Sequence, residues 1–198
     1  MSLDVMVDLE TLGTTADAVI VSMGAVAFNL ETGTVALGDE RATFYTVLDI
    51  ESQPRRHISG DTLAWWMHQS DDARMVFDRK NPVQHHFPAR TALGALEAWV
   101  RQIVLVANAQ AKDLRVWSNG ADFDLPIILH ACRTFNVTPP WPAYAGRCYR
   151  TFKNLPGARA VVMQRTGTHH NALDDAIDQA RHLCAIHAAL FGPTGGAA

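Results

Sequence analysis

The sequence predicts an α/β fold, a mixed five-stranded sheet with three antiparallel strands followed by two parallel ones, flanked by helices. Three observations predict it. Residues 3–50 hold three extended runs separated by short turns, the pattern of an antiparallel meander. From residue 59 onward the pattern changes to strand–helix–strand–helix, which lays helices on the faces of a sheet. The 198 residues are 48% hydrophobic and 19% charged, a composition and length suited to one domain with a sizeable core. A single domain is expected over 1–191, with a loose tail over 192–198.

The elements follow in order. Residues 3–8 read as a strand. "AVIVSMGAVAFNL" (18–30) is a long apolar, β-branched run; the turn "ETGT" follows, and then "ATFYTVLDI" (42–50). "SGDTLAWWMHQ" (59–69) opens with a helix cap signal at Ser59 to Asp61. "ARTALGALEAWVRQIVLVA" (89–107) places Leu93, Leu96, Val100, Ile103 and Val104 at helical intervals. "LRVWSNG" (114–120) is a short strand ending in Asn-Gly, and the helix "DFDLPIILHACRTF" (122–135) follows, with Pro126 tolerated in its first turn. "RCYRTF" (147–152) reads as the last strand. "NALDDAIDQARHLCAIHAALF" (171–191) is a final helix with an apolar stripe through Leu173, Ala176, Ile177, Ala180, Leu183 and Cys184.

Bulk properties narrow the function classes. No apolar run approaches the length of a membrane span, and no basic-then-apolar leader precedes the first strand, so a cytosolic protein without a membrane partner is expected. Three dispersed cysteines, Cys132, Cys148 and Cys184, argue against a disulfide framework or a cysteine zinc site and suit buried reduced thiols. The net charge of −3 is not the footprint of a bulk polyanion binder, but an enzyme that spends carboxylates on metals also looks acidic.

The chemistry starts at "VMVDLETLG" (5–13). Strand residues two apart share a face, so Asp8 and Glu10 are like-charged neighbours at a strand end. Such a pair repels and raises its own pKa values unless a cation lies between them. Asp122 and Asp124 stand at a strand-to-helix junction. Ile127, Ile128 and Ala131 follow Asp124 at i+3, i+4 and i+7, which turns Asp124 toward the sheet and Asp122 toward the edge of that arc. Helix capping accounts for both aspartates equally well. "THHNALDDAIDQA" adds His169, His170, Asp174 and Asp175, and periodicity does not choose between the pairs His169/Asp174 and His170/Asp175. Carboxylates at one strand end and two helix starts, with a histidine close by, are the equipment of a site for two divalent ions. Oxygen donors suit magnesium or manganese.

"DLETLG", "GADFDL" and "HNALDD" resemble the three motifs of the DEDD exonucleases, in the histidine-containing branch that holds polymerase proofreading subunits, ribonuclease T and oligoribonuclease. "DTLAWWMHQSDDAR" and "RCYRTF" further resemble small exodeoxyribonuclease VIII-like and exoribonuclease proteins of phages and bacteria, so a bacterial or phage-encoded chain is expected. The motifs stand in the family's order over residues 8–175. The resemblance implies a ribonuclease H-like fold and metal-dependent 3′-to-5′ exonuclease chemistry. It aligns His170 and Asp175 with the family's His-x-Ala-x-x-Asp pattern, because Ala172 then takes the third position. It implies that Asp8 bridges both ions, that Glu10 and Asp175 hold the ion carrying the nucleophilic water, that Asp124 helps hold the other, and that His170 is the general base. Where the family's second motif often has asparagine, this chain has Asp122, which the period turns away from the metals.

The substrate-binding set expected is Thr11, Leu12, Trp65, Phe123 and Arg150. Thr11 and Leu12 would meet the terminal nucleotide through their backbone. Trp65 and Trp66 point about 100° apart on their helix, so one can pack while the other stacks on an unpaired base. Packing or a subunit interface is the commoner use of such residues. The expected partner is single-stranded nucleic acid with a free 3′ end. Many relatives are dimers, which makes a homodimer one expected assembly. Two other functions share these features: a non-catalytic nucleic-acid-binding protein on the same fold, and a phosphatase acting on small phosphate esters. No motif separates DNA from RNA, since that choice rests on contacts to the 2′ hydroxyl.

Overall fold

Alternation along the first strand sets the architecture. In β1 (Leu3–Thr11), Leu3, Val5, Val7 and Leu9 point into one apolar layer, while Met6 points into another on the opposite face. β1 is therefore covered on both sides and must lie centrally. The computed structural model describes residues 3–35, 40–82 and 84–192. The tail expected over 192–198 lies, from 193 onward, outside the described residues.

β1 pairs antiparallel with β2 (Ile20–Asn29), which pairs antiparallel with β4 (Thr43–Leu48). On its other side β1 pairs in parallel with β6 (Leu114–Ser118), and β6 pairs in parallel with β7 (Gly146–Cys148). This is the expected mixed sheet. The count of five needs correction to seven. β3 (Thr34–Val35) pairs with β2 and β5 (His86–Phe87) pairs with β4, giving the order β5-β4-β2-β1-β6-β7. Two-residue strands are too short to show an alternation in sequence.

Helix α1 spans Gly60–Met67 and is capped by the Ser59 hydroxyl, which accepts from the Thr62 N–H at 3.4 Å. The short α2 (Asp71–Arg74) follows. α3 (Ala89–Val106) and α4 (Asp124–Phe135) cover one face of the sheet. α6 (Ala172–Phe191) covers the other face, with Ala176, Ala180, Leu183 and Cys184 in the layer that holds Met6. Among the described residues, no helix is long and apolar enough to cross a membrane.

The strand expected over 147–152 is overturned beyond Cys148, because Tyr149–Lys153 form a short helix, α5. The Cys148 sulfur accepts from the Thr151 N–H at 3.3 Å, a cap that carries no periodic signal. Cys148 is half-buried rather than buried, while Cys132 and Cys184 are buried as expected; all three are free thiols.

Candidate active site

The C-terminal ends of β1 and β6 lie side by side, because the two strands run parallel from Leu3↔Leu114 to Met6↔Trp117. β1 continues past the end of that pairing, which frees the Leu9 N–H on the β6 side. Asp124, the first residue of α4, fills the gap: its Oδ1 accepts from Leu9 N at 3.1 Å. The expected junction aspartate is thus buried and fastened to the strand that carries Asp8 and Glu10. Asp122 is exposed and lies outside the cleft lining.

Asp8 and Glu10 share the β1 face that turns toward α6. The β1–β2 register shifts between Glu10 and Thr11, a bulge that re-aims the chain as it leaves the sheet. α6 supplies Asp175 in its first turn. The Asn171 side chain caps this helix by accepting from the N–H groups of Leu173 and Asp174, at 3.0 and 3.2 Å. Just before the cap, His170 has φ 64°, a left-handed conformation unusual for a side-chain-bearing residue. Its Nδ1 stands 3.9 Å from Glu10 Oε1. One ligand atom from each of Glu10, His170 and Asp175 falls within 4.8 Å of the others.

The structure separates the two aspartates that periodicity leaves level, while His169 and His170 both line the cleft. Asp175 and His170 face the cleft. Asp174 turns away and accepts from the Thr168 N–H at 2.7 Å, holding the loop before the helix.

Asp8, Glu10, His169, His170 and Asp175 line a cleft of about 740 Å³, while Asp124 is buried outside that lining, bonded to Leu9, which is part of it. Trp65 and Phe123 line it too, as does Thr11. Trp65 is half-exposed, with its ring edge-on to His170 at 4.7 Å between centroids. Trp66 is buried and donates from Nε1 to the Thr11 carbonyl at 2.9 Å. The pair therefore divides as its spacing allows, one ring in the cleft and one in the packing. Leu12 is buried outside the lining, and both its backbone groups are paired, its N–H with the Val19 carbonyl and its carbonyl with the Ser59 N–H. Arg150 also stands outside the lining and donates to the Asn119 carbonyl at 2.6 Å. Lys153 lines the cleft instead.

Sequence reasoning missed three further participants. Gln179 donates from Nε2 to Asp8 Oδ1 at 2.7 Å across 171 residues of chain. Asp178 accepts from Thr166 N and Oγ1 at 2.8 and 2.7 Å. Arg165 pairs through Nη2 with Asp175. Gln179 and Asp178 follow Asp175 at i+4 and i+3, so the helical period was an available signal. Arg165 lies in a loop that offers no such signal.

The electrostatics follow from burial. Desolvation, with Asp124, Glu10 and Asp175 close by, pushes Asp8 well above the usual carboxylate range. Burial and the charges of Asp175 and Asp124 raise Glu10 from 4.5 to about 8. Burial raises Asp124 from 3.8 to about 7, and Asp175 also rises. Burial, with His169 and Arg165 nearby, lowers His170 from 6.5 to about 4, so its ring is neutral at pH 7 and open to a proton.

The stability consequence has a definite sign. A carboxyl raised on folding contributes stability that is complete below its unfolded pKa and lost as pH rises through the folded value. For Glu10 that window runs from pH 4.5 to about 8. His170 acts in the opposite sense, but only between about pH 4 and 6.5. Between pH 6.5 and 8 the carboxyls act without that opposition. Calorimetry in EDTA should show roughly 1–2 kcal/mol lost over this interval, or about 3–6 °C in Tm. Glu10→Gln should flatten the slope, and an unchanged slope in that variant would contradict the assignment.

Residues 3–187 match the family described as 3′-5′ exoribonuclease Rv2179c-like domain. The chain is 26% identical over 133 residues to an exodeoxyribonuclease of Enterobacteria phage T4, covering 66% of this chain and 56% of that protein. It thus spans just over half the length of that relative. Two solved structures share the fold. The nuclease domain of 3′hExo, a DEDDh family member bound to rAMP, gives a TM-score of 0.60 at 14% identity, covering 94% of this chain and 91% of that one. Pop2p of S. pombe, in a form bound to Mg2+ and Mn2+, gives 0.60 at 12% identity, covering 98% and 86%. With the match running over nearly the whole chain, this protein belongs to the family described as 3′-5′ exoribonuclease Rv2179c-like domain.

Proposed function

We propose that residues 1–191 form one exonuclease domain that removes nucleotides from single-stranded 3′ ends by two-metal hydrolysis, with RNA as the favoured substrate. One observation carries this reading: Asp8, Glu10 and Asp175 line one cleft with His170, and Asp124, buried and bonded to Leu9 N, lies close enough to Asp8 to raise its pKa. The donor set fits two divalent cations. Burial holds all four carboxyl groups above their ordinary pKa values, and neighbouring carboxylates add to the rise at Asp8 and Glu10. Oxygen donors select magnesium or manganese, and Pop2p carries both of these in its solved form.

When bound, two such ions supply charge neutralisation at the scissile phosphate and activation of the attacking water. The chain's own residues do the rest. Asp8, Glu10, Asp124 and Asp175 would hold the cations, and Gln179 orients the Asp8 carboxylate through its 2.7 Å hydrogen bond. His170, neutral and fixed edge-on against Trp65, takes the proton from the attacking water. Trp65 offers its exposed ring to the terminal base, a contact worth about 1–3 kcal/mol without sequence preference. Thr11 and Phe123 complete the wall around that nucleotide.

RNA is favoured because the family description names exoribonucleases. DNA is the second reading, supported by the phage exodeoxyribonuclease match.

The proton-transfer role has its own test. His170→Gln should lower kcat about 10²–10⁴-fold while calorimetric titration still shows magnesium binding. Loss of binding along with activity would make His170 a ligand, a role its place beside Glu10 and Asp175 also permits.

A further inference from the structure

Arg165 is the least explained charge in the cleft. Among the described residues, the lining holds two lysine or arginine side chains, Lys153 and Arg165. Lys153 is engaged by neutral groups: it donates to Asn119 Oδ1 at 3.3 Å and lies 4.9 Å from the centre of the Tyr149 ring. Arg165 is engaged by acids. Its Nη2 pairs with Asp175, and its Nε stands 3.7 Å from Asp178 Oδ2. The guanidinium therefore covers a carboxylate that the proposed mechanism needs for a cation.

The loop that carries Arg165 is fastened, while the side chain is held at its head by the two acids. Thr166 is held by Asp178 through both its N–H and its hydroxyl, Arg181 Nη1 donates to Thr166 Oγ1 at 2.9 Å, and Thr168 N–H is held by Asp174. The Arg165 side chain itself is 53% exposed. Its root is fixed while its head can exchange partners without moving the backbone.

We propose that Arg165 is the substrate-phosphate residue of this cleft, held in reserve by Asp175 and Asp178 until divalent cations take Asp175. This rests on the two-metal reading above. A planar guanidinium fork matches a phosphate as well as it matches a carboxylate. Once Asp175 faces a cation, the pair with Arg165 is lost, Asp178 remains beside its Nε, and the Nη2 end of the fork is left to take the phosphate of the entering strand. Metal loading thereby arms the substrate site. Without metal, the same guanidinium screens the acidic cluster.

The two roles predict opposite effects of one substitution. Arg165→Gln should bind magnesium about three- to tenfold more tightly in nucleic-acid-free calorimetric titration, because a competitor has gone. The same variant should raise KM for 5′-labelled single-stranded RNA about tenfold or more, because a phosphate contact has gone. Arg165→Lys should fall between wild type and Arg165→Gln in both measurements. A residue that merely supported the loop would weaken both kinds of binding together. Magnesium affinity that is unchanged or weaker in Arg165→Gln, or a KM within about twofold of wild type, would overturn the proposal while leaving the two-metal reading intact. Failure of the wild-type protein to bind magnesium would overturn both.

Discussion

Asp8→Asn is expected to abolish hydrolysis, by roughly 10³-fold or more, and at the same time to raise the Tm of the metal-free protein. Both effects have one source. Asp8 is desolvated, and Asp124, Glu10 and Asp175 all act to raise its pKa. A neutral amide of the same shape relieves that repulsion and can still accept the Gln179 hydrogen bond. It cannot supply the negative charge that binds a cation. Initial rates on labelled RNA and calorimetry in EDTA measure the two halves separately. Full activity would remove Asp8 from the site, and a lower Tm would show that its charge supports the fold.

Gly24→Ala is expected to cost at least about 100-fold in activity without touching the cleft. Gly24 lies on β2 opposite Asp8 in the β1–β2 register. A Cβ there would stand 2.2 Å from the Ala172 carbonyl carbon and 2.3 Å from Leu173 N. Both are backbone atoms at the start of α6, so no side chain can swing aside. The helix start would have to lift by about 1 Å or more, carrying Asp175 with it, and displacement on that scale is enough to disable a catalytic site. Overpacking should also lower stability by about 1–3 kcal/mol. Rates, urea unfolding and magnesium titration on the variant check this. Near-normal activity would mean that α6 does not seat Asp175 as described.

The strands and helices that alternate or repeat cleanly were legible in the sequence. α3 buries Leu93, Leu96, Val100 and Ile103 as its spacing predicts, and Asp124 turns inward while Asp122 stays exposed. Local pattern is less telling where a contact decides. Asp4 and Asp8 lie on the same face of the same strand and look alike in sequence. Asp4 is matched by the Arg115 Nε and Nη2 donors at 2.7 and 2.6 Å and by Trp117 Nε1 at 2.8 Å. Asp8 has Gln179 and three neighbouring carboxyls. Partners more than 100 residues away make one structural and place the other in the cleft. His170 and Asp175 are a similar case: the period left them level with His169 and Asp174, and the resemblance chose. Arg165 and Gly24 had no local signature, because each matters for what another element brings to it.

The most direct measurement is a time course on 5′-labelled single-stranded RNA and DNA of equal sequence, with magnesium, manganese or EDTA, and with Asp8→Asn alongside. The account predicts a ladder shortening from the 3′ end in either metal, faster on RNA, and absent in EDTA and in the variant. Shortening that persists in EDTA, or strands that are bound and left whole in both metals, would contradict it.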